Sequence, residues 1–340
     1  MKLLTDIADI DRGQWQALVN RSTVASVFQT PEMFDFYNSS SAFNQYIFAV
    51  EESGELRGLV VCTIQSEGGS LKKLLTSRAI INGGPLLDDD ITTDELSLLL
   101  CTIVDSLRRS CIYIETRNLN DYSRWRDTFD KCGFRYTPHY NFHIDTTNPV
   151  EVDKRMDKSR RRRIRRATEH GVTVSSDNAF LPDFYNILSD LYHTKIHKPL
   201  PPYSLFERLT KEPFVRYFFV QDPEGKTIGG QLILMLDKRT AYAWYCCGLD
   251  KEYHDLYPSI MANYAAIHYA ADNGFERYDM MGGGTPGEDY GVRDFKAQFG
   301  GTMVEHGRYL HVCHPFVYWL GCKAITLMGK LNKWNIHFSK

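Results

Sequence analysis

The sequence predicts a mixed α/β protein in which one unit of strands and helices occurs twice. Two strands joined by a tight turn, a third strand, a helix, a further strand and a helix recur in the same order in both halves. The glycines Gly54 and Gly58 of the first half correspond to Gly225 and Gly229 of the second, each pair 171 positions apart. We therefore predict two tandem mixed sheets flanked by helices, an internal duplication.

The first half begins with a helical pattern and continues with strands rich in β-branched and aromatic residues. The predicted strands are 46–50, 59–64, 74–81, 111–116 and 140–144. Thr92 and Glu95 form the pattern of a capping box, so a helix is predicted from there to about Arg109. A shorter helix is predicted over 122–132, ended by Gly133.

The second half repeats this layout. The predicted strands are 217–220, 228–236, 241–247 and 278–281. A helix over 258–273, ended by Gly274, lies between the last two strands. The final strand corresponds to residues 113–115 of the first half at a separation of 165.

Composition indicates an ordinary globular chain, with 43% apolar and 24% charged residues. The first residues, MKLLTDIADIDRGQW, lack the apolar core of a signal peptide, and no window has the roughly 20 apolar residues of a spanning helix. The eight cysteines include no CxxC pair, and the closely spaced histidines lack acidic or thiol neighbours at metal-ligand spacing. We therefore expect a cytoplasmic protein with reduced cysteines and no metal.

A concentrated basic segment lies between the two halves. The net charge is only −2, yet residues 153–166 hold nine Lys or Arg against two Asp. Ser159 is the expected N-cap of a helix that runs to His170 and stops at Gly171. Guanidinium groups bind phosphate in bidentate fashion, so a phosphate site is predicted at Arg160, Arg161, Arg162, Arg163 and Arg166. The alternative is a solvated helix, and RNA, a nucleotide sugar and a lipid headgroup all remain open as ligands.

A glycine-rich stretch at 278–301 is the expected centre of the site. The strand 278–281 runs into Gly282, Gly283 and Gly284, whose backbone N–H groups would be accessible to a substrate oxygen. An amphipathic segment follows. Polar candidates at strand ends or beside the loop are Tyr245, Tyr290, Arg293 and Asp294. The alternative is a loop that only turns a corner.

The C-terminal segment 315–340 has apolar residues at helical spacing, interrupted by lysines. A helix packed on the rest of the protein is the favoured interpretation. The alternative is an interfacial helix on the inner face of an anionic membrane.

Two motifs resemble signatures of a known family. KSRRRRIRRATEHGVTV (158–174) is similar to the linker helix of the FemABX peptidyltransferases, and YDMMGGG followed by YGVRDFKAQFGG (278–301) is similar to their C-terminal signature. The chain also resembles the related acetyltransferase-like proteins of exopolysaccharide and cell-envelope loci. The resemblance implies tandem acetyltransferase-like (GNAT-like) domains. On this basis we divide the chain into 1–150, a linker helix at 151–174, 175–314 and a C-terminal helix at 315–340.

The resemblance implies transfer of an aminoacyl group from aminoacyl-tRNA to an amine of a peptidoglycan precursor, with no cofactor besides the donor. Lys296 falls on the family's active-site lysine, beside Phe295. Its ammonium would stabilise the oxyanion or hold the 3′-terminal phosphate of the donor. The predicted catalytic residues are therefore Lys296, Asp294 and Tyr245, and the substrate-binding set is Gly282, Gly283, Gly284, Tyr290, Arg293 and Phe295. Residues 179–209 are too few for the helical arm of many members, which leaves the tRNA donor open.

Two other functions remain as alternatives. A coenzyme A-dependent N-acetyltransferase needs a glycine-rich pyrophosphate loop before a helix, but the equivalent segments contain Tyr257-Pro258 in the second half and three aspartates, 88–90, in the first. The sequence therefore argues against coenzyme A. A non-catalytic RNA- or anion-binding protein would depend on the arginines and be insensitive to Lys296→Ala.

Overall fold

The computed structural model describes residues 1–40, 43–66, 76–287 and 290–323. It divides into two compact units. The first comprises Met1–Pro138 together with the segment that begins at His306, and the second comprises His139–Glu305.

Helices of 6 to 15 residues connect strands within each unit. The α-helices of the first unit include α1 (Arg12–Arg21), α2 (Pro31–Asn38), α3 (Thr93–Leu107) and α4 (Arg126–Lys131). Those of the second unit are α5 (Pro149–Arg155), α6 (Lys158–Glu169), α7 (Leu181–Leu191), α8 (Tyr203–Leu209), α9 (Pro258–Asp272) and α10 (Gly291–Ala297). A π-helical turn, Tyr192–Ile196, continues α7.

The strands form one sheet in each unit. The first sheet contains β1 (Lys2–Leu4), β2 (Asn44–Glu52), β3 (Glu55–Gln65), β4 (Arg78–Gly83), β5 (Leu86–Leu87), β6 (Tyr113–Asn118), β7 (Arg135–Thr137) and β15 (Arg308–Val312). The second contains β8 (Tyr140–Asp145), β9 (Thr173–Ser175), β10 (Val215–Gln221), β11 (Thr227–Leu236), β12 (Thr240–Gly248), β13 (Arg277–Gly282) and β14 (Thr302–Glu305).

The strand order confirms the predicted duplication. The first sheet runs β1-β2-β3-β4-β6-β15-β7, and the second, read from its other end, runs β9-β10-β11-β12-β13-β8-β14. In each sheet one parallel pair, β4 with β6 or β12 with β13, lies among antiparallel neighbours. The matched glycines occupy equivalent positions, because each lies on a strand directly against the helix of its unit. A Cβ on Gly58 would lie 3.0 Å from Leu99 of α3, and one on Gly229 would lie 3.1 Å from Pro258 of α9.

The predicted domain boundaries at 150 and 314 differ from the observed ones. β8, which we assigned to the first domain, pairs with β13 and β14 of the second sheet. β15, which we missed, pairs with β6 and β7 of the first sheet. The first unit therefore takes β15 from beyond the whole second unit, whereas β8 lies within the second unit's own segment. Periodicity within one segment carries no information about such long-range pairing.

Local capping explains where the principal helices begin. The capping box of α3 is confirmed, because Thr92 Oγ1 accepts from Glu95 N at 3.3 Å while Glu95 Oε2 accepts from Thr92 N at 2.7 Å. The N-cap of the basic helix α6 is Asp157, not Ser159, because the Asp157 carboxylate accepts from Ser159 N at 2.7 Å. Gly171, at φ +82°, ends this helix as predicted.

A hydrophobic core lies against each sheet. In the first unit the inward residues of α3, including Leu96, Leu99 and Ile103, pack with Ile81 and Ile114. In the second unit α9 provides Ala262, Ala266 and Ile267 on a similar cluster. Cys62, Cys111 and Cys247 are buried, whereas Cys101 and Cys322 are exposed.

Residues 179–209 and the C-terminal segment are both helical where the structure describes them. Residues 179–209 form the short helices α7 and α8. Residues 315–323 are helical, and the remainder of the predicted C-terminal helix lies outside the described residues. Among the described helices, none has both the length and the apolar character needed to cross a membrane.

Gly300 provides a test of the packing that fixes α10. Its φ of +80° is left-handed, and a Cβ there would collide with the backbone of Arg155. Gly300→Ala should destabilise by about 1–2 kcal/mol through backbone strain and by about 1–3 kcal/mol more through the collision. Gly274→Ala is the control, since its φ is +75° with nothing within 4 Å of the added atom. If urea denaturation shows the same loss of unfolding free energy in both variants, this account is contradicted.

Candidate active site

The parallel strands β12 and β13 separate at their carboxyl ends. They pair at Thr240, Ala241 and Tyr242 of β12, yet β12 continues to Gly248 alongside β11. In the first unit the corresponding strands β4 and β6 pair over all six positions. The second unit therefore has an opening between two parallel strands, the place where α/β sheets bind ligands.

Lys296 reaches into this opening from α10. Its Nζ donates to Gly282 O at 2.7 Å and to Met280 O at 2.5 Å, both on β13 beyond the paired stretch. These carbonyls need a donor, because β12 no longer supplies one. Burial lowers the pKa of Lys296 to about 8, whereas the negative charge of Asp279 opposes that shift. At neutral pH the side chain is therefore mostly an ammonium, and no acceptor for its third N–H is found in the part of the chain described.

Asp279, which sequence reasoning missed, supports this arrangement from within β13. It is fully buried, and its Oδ1 accepts from Met281 N at 2.6 Å, which holds Met281 at φ +58°. His143 Nε2 lies 3.3 Å from Oδ2. Burial alone would raise the pKa of Asp279, but the neighbouring imidazole of His143 and the charge of Arg277 lower it overall. A left-handed non-glycine residue and a buried carboxylate are typical of a functional site.

The glycine loop is held by its own backbone and by Arg293. Gly283 N donates to Tyr140 O, and Arg293 donates to Gly283 O at 3.0 Å and to Thr285 O at 2.7 Å. The expectation of an accessible N–H at Gly283 is therefore wrong, because that group is bonded within the sheet. Arg293 fixes the loop, and the loop in turn presents carbonyl oxygens to cations.

The remaining predicted residues lie around this centre with different exposures. Gly282 ends β13, and Gly284, at φ +81°, is covered by the ring of the exposed Tyr290. Asp294 is exposed in the first turn of α10, and residues two apart on a helix do not face each other, so it lies away from Lys296. The half-buried Phe295 packs on Phe299 at 5.4 Å between ring centroids.

Tyr245 belongs to an aromatic group on β12. The register between β11 and β12 shifts at Leu232 and Ile233, opposite Trp244, and the rings of Trp244 and Tyr245 lie 4.8 Å apart. Tyr245 also contacts Phe206 at 5.1 Å and Tyr192 at 6.0 Å. The ring therefore contributes to an aromatic cluster, and a catalytic role for its hydroxyl stays a prediction.

Comparison with known proteins shows similarity in sequence over one segment and in fold over most of the chain. Residues 154–296 match the family model of the acetyltransferase (GNAT) domain. The crystal structure of FemX has the same fold, with a TM-score of 0.72 and 16% identity over 94% of this chain and 99% of that one. Residues 154–296 are therefore similar in sequence to GNAT-type acetyltransferases, and the chain shares the fold of FemX. The resemblance seen in the sequence is thus confirmed, together with the predicted fold class.

Other GNAT-like structures share the fold at lower similarity. A tandem GNAT protein from the clavulanic acid biosynthesis pathway has a TM-score of 0.59 and 11% identity over 92% of this chain and 98% of that one. The C-terminal domain of a protein assigned as lysylphosphatidylglycerol synthetase from Agrobacterium fabrum has a TM-score of 0.57 and 13% identity, covering 89% and 91%. No curated protein matches the sequence significantly.

The basic helix of this GNAT-like protein divides into buried and exposed arginines. Arg160, predicted to bind phosphate, is only 1% exposed, so that prediction is wrong. Its Nη2 donates at 3.0 Å to both Phe295 O and Gln298 Oε1, and its guanidinium lies 4.4 Å from the centroid of Phe299. Burial lowers its pKa to about 10. Arg160 therefore anchors α10, the helix that carries Lys296.

The exposed arginines remain candidates for an anion. Arg161 and Arg162, together with Arg165, which we did not predict, line an open groove of about 780 Å³ that also includes Asp157, Lys158 and Ser159. Arg163 lies over the ring of Tyr257 at 5.9 Å, and Arg166 pairs with Asp255 at 2.9 Å. The basic side chains that line the groove are thus those of Lys158, Arg161, Arg162 and Arg165.

The N-terminus of α9 is the place where a GNAT-like protein would hold the pyrophosphate of coenzyme A. Here Asp250 accepts from Ser259 N at 3.1 Å and from Ser259 Oγ. A carboxylate already satisfies this helix terminus and would repel a second anion. These residues do not fit a coenzyme A pyrophosphate. The described residues also contain no group of three His, Cys, Asp or Glu side chains placed to hold a metal.

Asp279→Asn tests the electrostatic support of Lys296. The amide keeps an acceptor for Met281 N but removes a negative charge that raises the pKa of Lys296, so this pKa should fall below its wild-type value of about 8. If the ammonium is the active form, the alkaline limb of the pH–rate profile moves to lower pH. Asp272→Asn, an exposed residue of α9, is the control. An alkaline limb at unchanged or higher pH in Asp279→Asn would contradict this role of Asp279.

Proposed function

We propose that this protein transfers an aminoacyl group from an RNA-linked ester to an amine of a cell-envelope precursor. The observation that carries the proposal is the Lys296 ammonium, held by two carbonyls in the opening between β12 and β13. A fixed cation in a poorly solvated site favours reactions in which negative charge develops on an oxygen. Attack on an ester carbonyl is such a reaction.

The residues support the following sequence. The acceptor amine attacks the ester carbonyl, a C–N bond forms, and the carbonyl oxygen becomes an oxyanion that Lys296 stabilises through its remaining N–H. The intermediate then loses the ribose hydroxyl as the C–O bond breaks, and the proton released by the amine balances the alkoxide. Neutral Cys246 has a pKa raised to about 12 by burial, so it is no thiolate nucleophile for a covalent intermediate.

Two features favour an RNA-linked donor over coenzyme A. The terminus of α9 is occupied by Asp250, as described above. The groove cations Lys158, Arg161, Arg162 and Arg165 offer phosphate contacts on the same helix whose Arg160 anchors α10. The motifs that resemble those of the FemABX peptidyltransferases make a cell-envelope acceptor the choice to test first.

The deciding experiment supplies the purified protein with bulk tRNA charged with radiolabelled amino acids and with a UDP-linked muropeptide as acceptor. Label is expected to appear in the muropeptide, and acetyl-coenzyme A should neither compete nor be consumed. Turnover of acetyl-coenzyme A with an amine acceptor would instead make the protein a coenzyme A-dependent acetyltransferase. Tight RNA binding without transfer, unaffected by Lys296→Ala, would indicate a non-catalytic binding protein.

The exposed groove arginines should determine the salt dependence of tRNA binding. In an Arg161→Ala, Arg162→Ala, Arg165→Ala variant, the slope of log affinity against log salt concentration should become less steep. The magnitude of the slope should fall by about two to three. Arg166→Ala is the matched control, since its guanidinium is already paired with Asp255. A slope unchanged in the triple variant would place the RNA elsewhere.

A further inference from the structure

The helix at residues 315–323 has one face packed on the first unit and another exposed. Tyr318 packs edge-on against Tyr113 of β6, with ring centroids 5.5 Å apart. Phe316, Trp319 and Leu320 face away, with 73%, 54% and 48% of their surfaces exposed. Positions i, i+3 and i+4 lie on one side of a helix, so these side chains form a continuous apolar face.

The exposed side chains are organised with respect to one another. The rings of Phe316 and Trp319 stack with centroids 6.2 Å apart, and Lys323 Nζ lies 5.8 Å from the Trp319 ring. Lys323 follows Phe316 by seven positions, so it extends the same face. An aromatic face flanked by lysine is typical of helices that lie in the interfacial region of a bilayer.

Charge distinguishes the occupants that could cover this face. The last 35 residues, 306–340, contain five Lys or Arg and no Asp or Glu, although the whole chain has a net charge of −2. A second copy of this face would bring the same positive charge and repel the first. An anionic surface is attracted, and each lysine near it strengthens the attraction.

We propose that the face formed by Phe316, Trp319, Leu320 and Lys323 binds the surface of an anionic lipid bilayer. The apolar side chains enter the headgroup region, and the basic C-terminal segment neutralises lipid charge. Such binding is peripheral and reversible. It does not depend on the proposed acyl transfer, because the face lies on the first unit and includes no residue of the Lys296 site.

The test is co-sedimentation of the full-length protein with vesicles of phosphatidylcholine and phosphatidylglycerol, compared with pure phosphatidylcholine. Wild-type protein should bind the anionic vesicles, and the binding should weaken at high salt. The Phe316→Ser, Trp319→Ser, Leu320→Ser variant should bind at least about tenfold more weakly. Lys323→Glu should lower binding to anionic vesicles only.

The matched control is Val150→Ser, Met303→Ser, which removes exposed apolar side chains of the second unit. Thermal denaturation of each variant checks that the fold is retained. Absence of wild-type binding to anionic vesicles would overturn the proposal, as would equal binding of the triple variant. Light scattering that shows a wild-type dimer, lost in the triple variant, with no vesicle binding would assign the face to a second copy of the chain.

Discussion

Lys296→Met is expected to lower kcat for acyl transfer by about 10²–10³-fold with little change in KM. The ammonium acts on an oxyanion that exists only in the transition state and intermediate, so ground-state binding is largely unaffected. The fold should persist. Burial lowers the pKa of Lys296 from 10.5 to about 8, so the methionine avoids a desolvation cost of about 3 kcal/mol while leaving two carbonyls without their donor.

The kinetics and the folding of this variant are separable. Steady-state rates give kcat and KM, and urea denaturation gives the free energy of unfolding. Lys211→Met, an exposed lysine after α8, controls for loss of a positive charge elsewhere. A Lys296→Met enzyme with wild-type kcat would exclude the oxyanion role. A variant with raised KM alone would instead indicate that Lys296 binds the donor in its ground state.

The elements of the fold were accessible from sequence because each rests on local chemistry. The hairpin glycines, the capping box at Thr92 and Glu95, and the stop at Gly274 all act within a few residues. The sheets to which β8 and β15 belong were not accessible, since a strand's pattern shows that it pairs and does not show with which sheet. That is why both predicted boundaries were misplaced.

The sequence placed the candidate site but missed part of what surrounds Lys296. The glycine stretch and Lys296 lie together as expected. The buried pair of Asp279 and His143 was missed because an aspartate inside an apolar strand gives no sign of its partner, which lies on β8. An acidic residue in an otherwise buried strand, followed by glycines, was the available signal.

The arginine run illustrates the limit of composition most clearly. Its six arginines have the same chemistry in sequence, yet helical periodicity separates them by direction. Arg160 and Ile164 lie four apart on the buried face, whereas Arg161 and Arg165 lie on the exposed one. Arg160 therefore has a structural role because it shares the buried face of the helix with Ile164.

Arg160→Ala should accordingly be among the most destabilising single substitutions in the second unit, at about 2–5 kcal/mol. It removes a fully buried side chain from between Phe295 and Phe299 and leaves the Phe295 carbonyl and Gln298 without their donor. Because this contact fixes α10, acyl transfer should also fall under conditions in which the variant remains folded.

Two further variants separate charge from packing at this position. Arg160→Met fills much of the same volume and removes a cation whose pKa burial lowers to about 10, so its stability should lie within about 1 kcal/mol of wild type. Arg162→Ala, on the exposed side of α6, should leave stability unchanged. Comparable loss in Arg160→Met and Arg160→Ala would mean that the hydrogen bonds to α10 outweigh packing. Loss in neither would mean that α10 is held without Arg160.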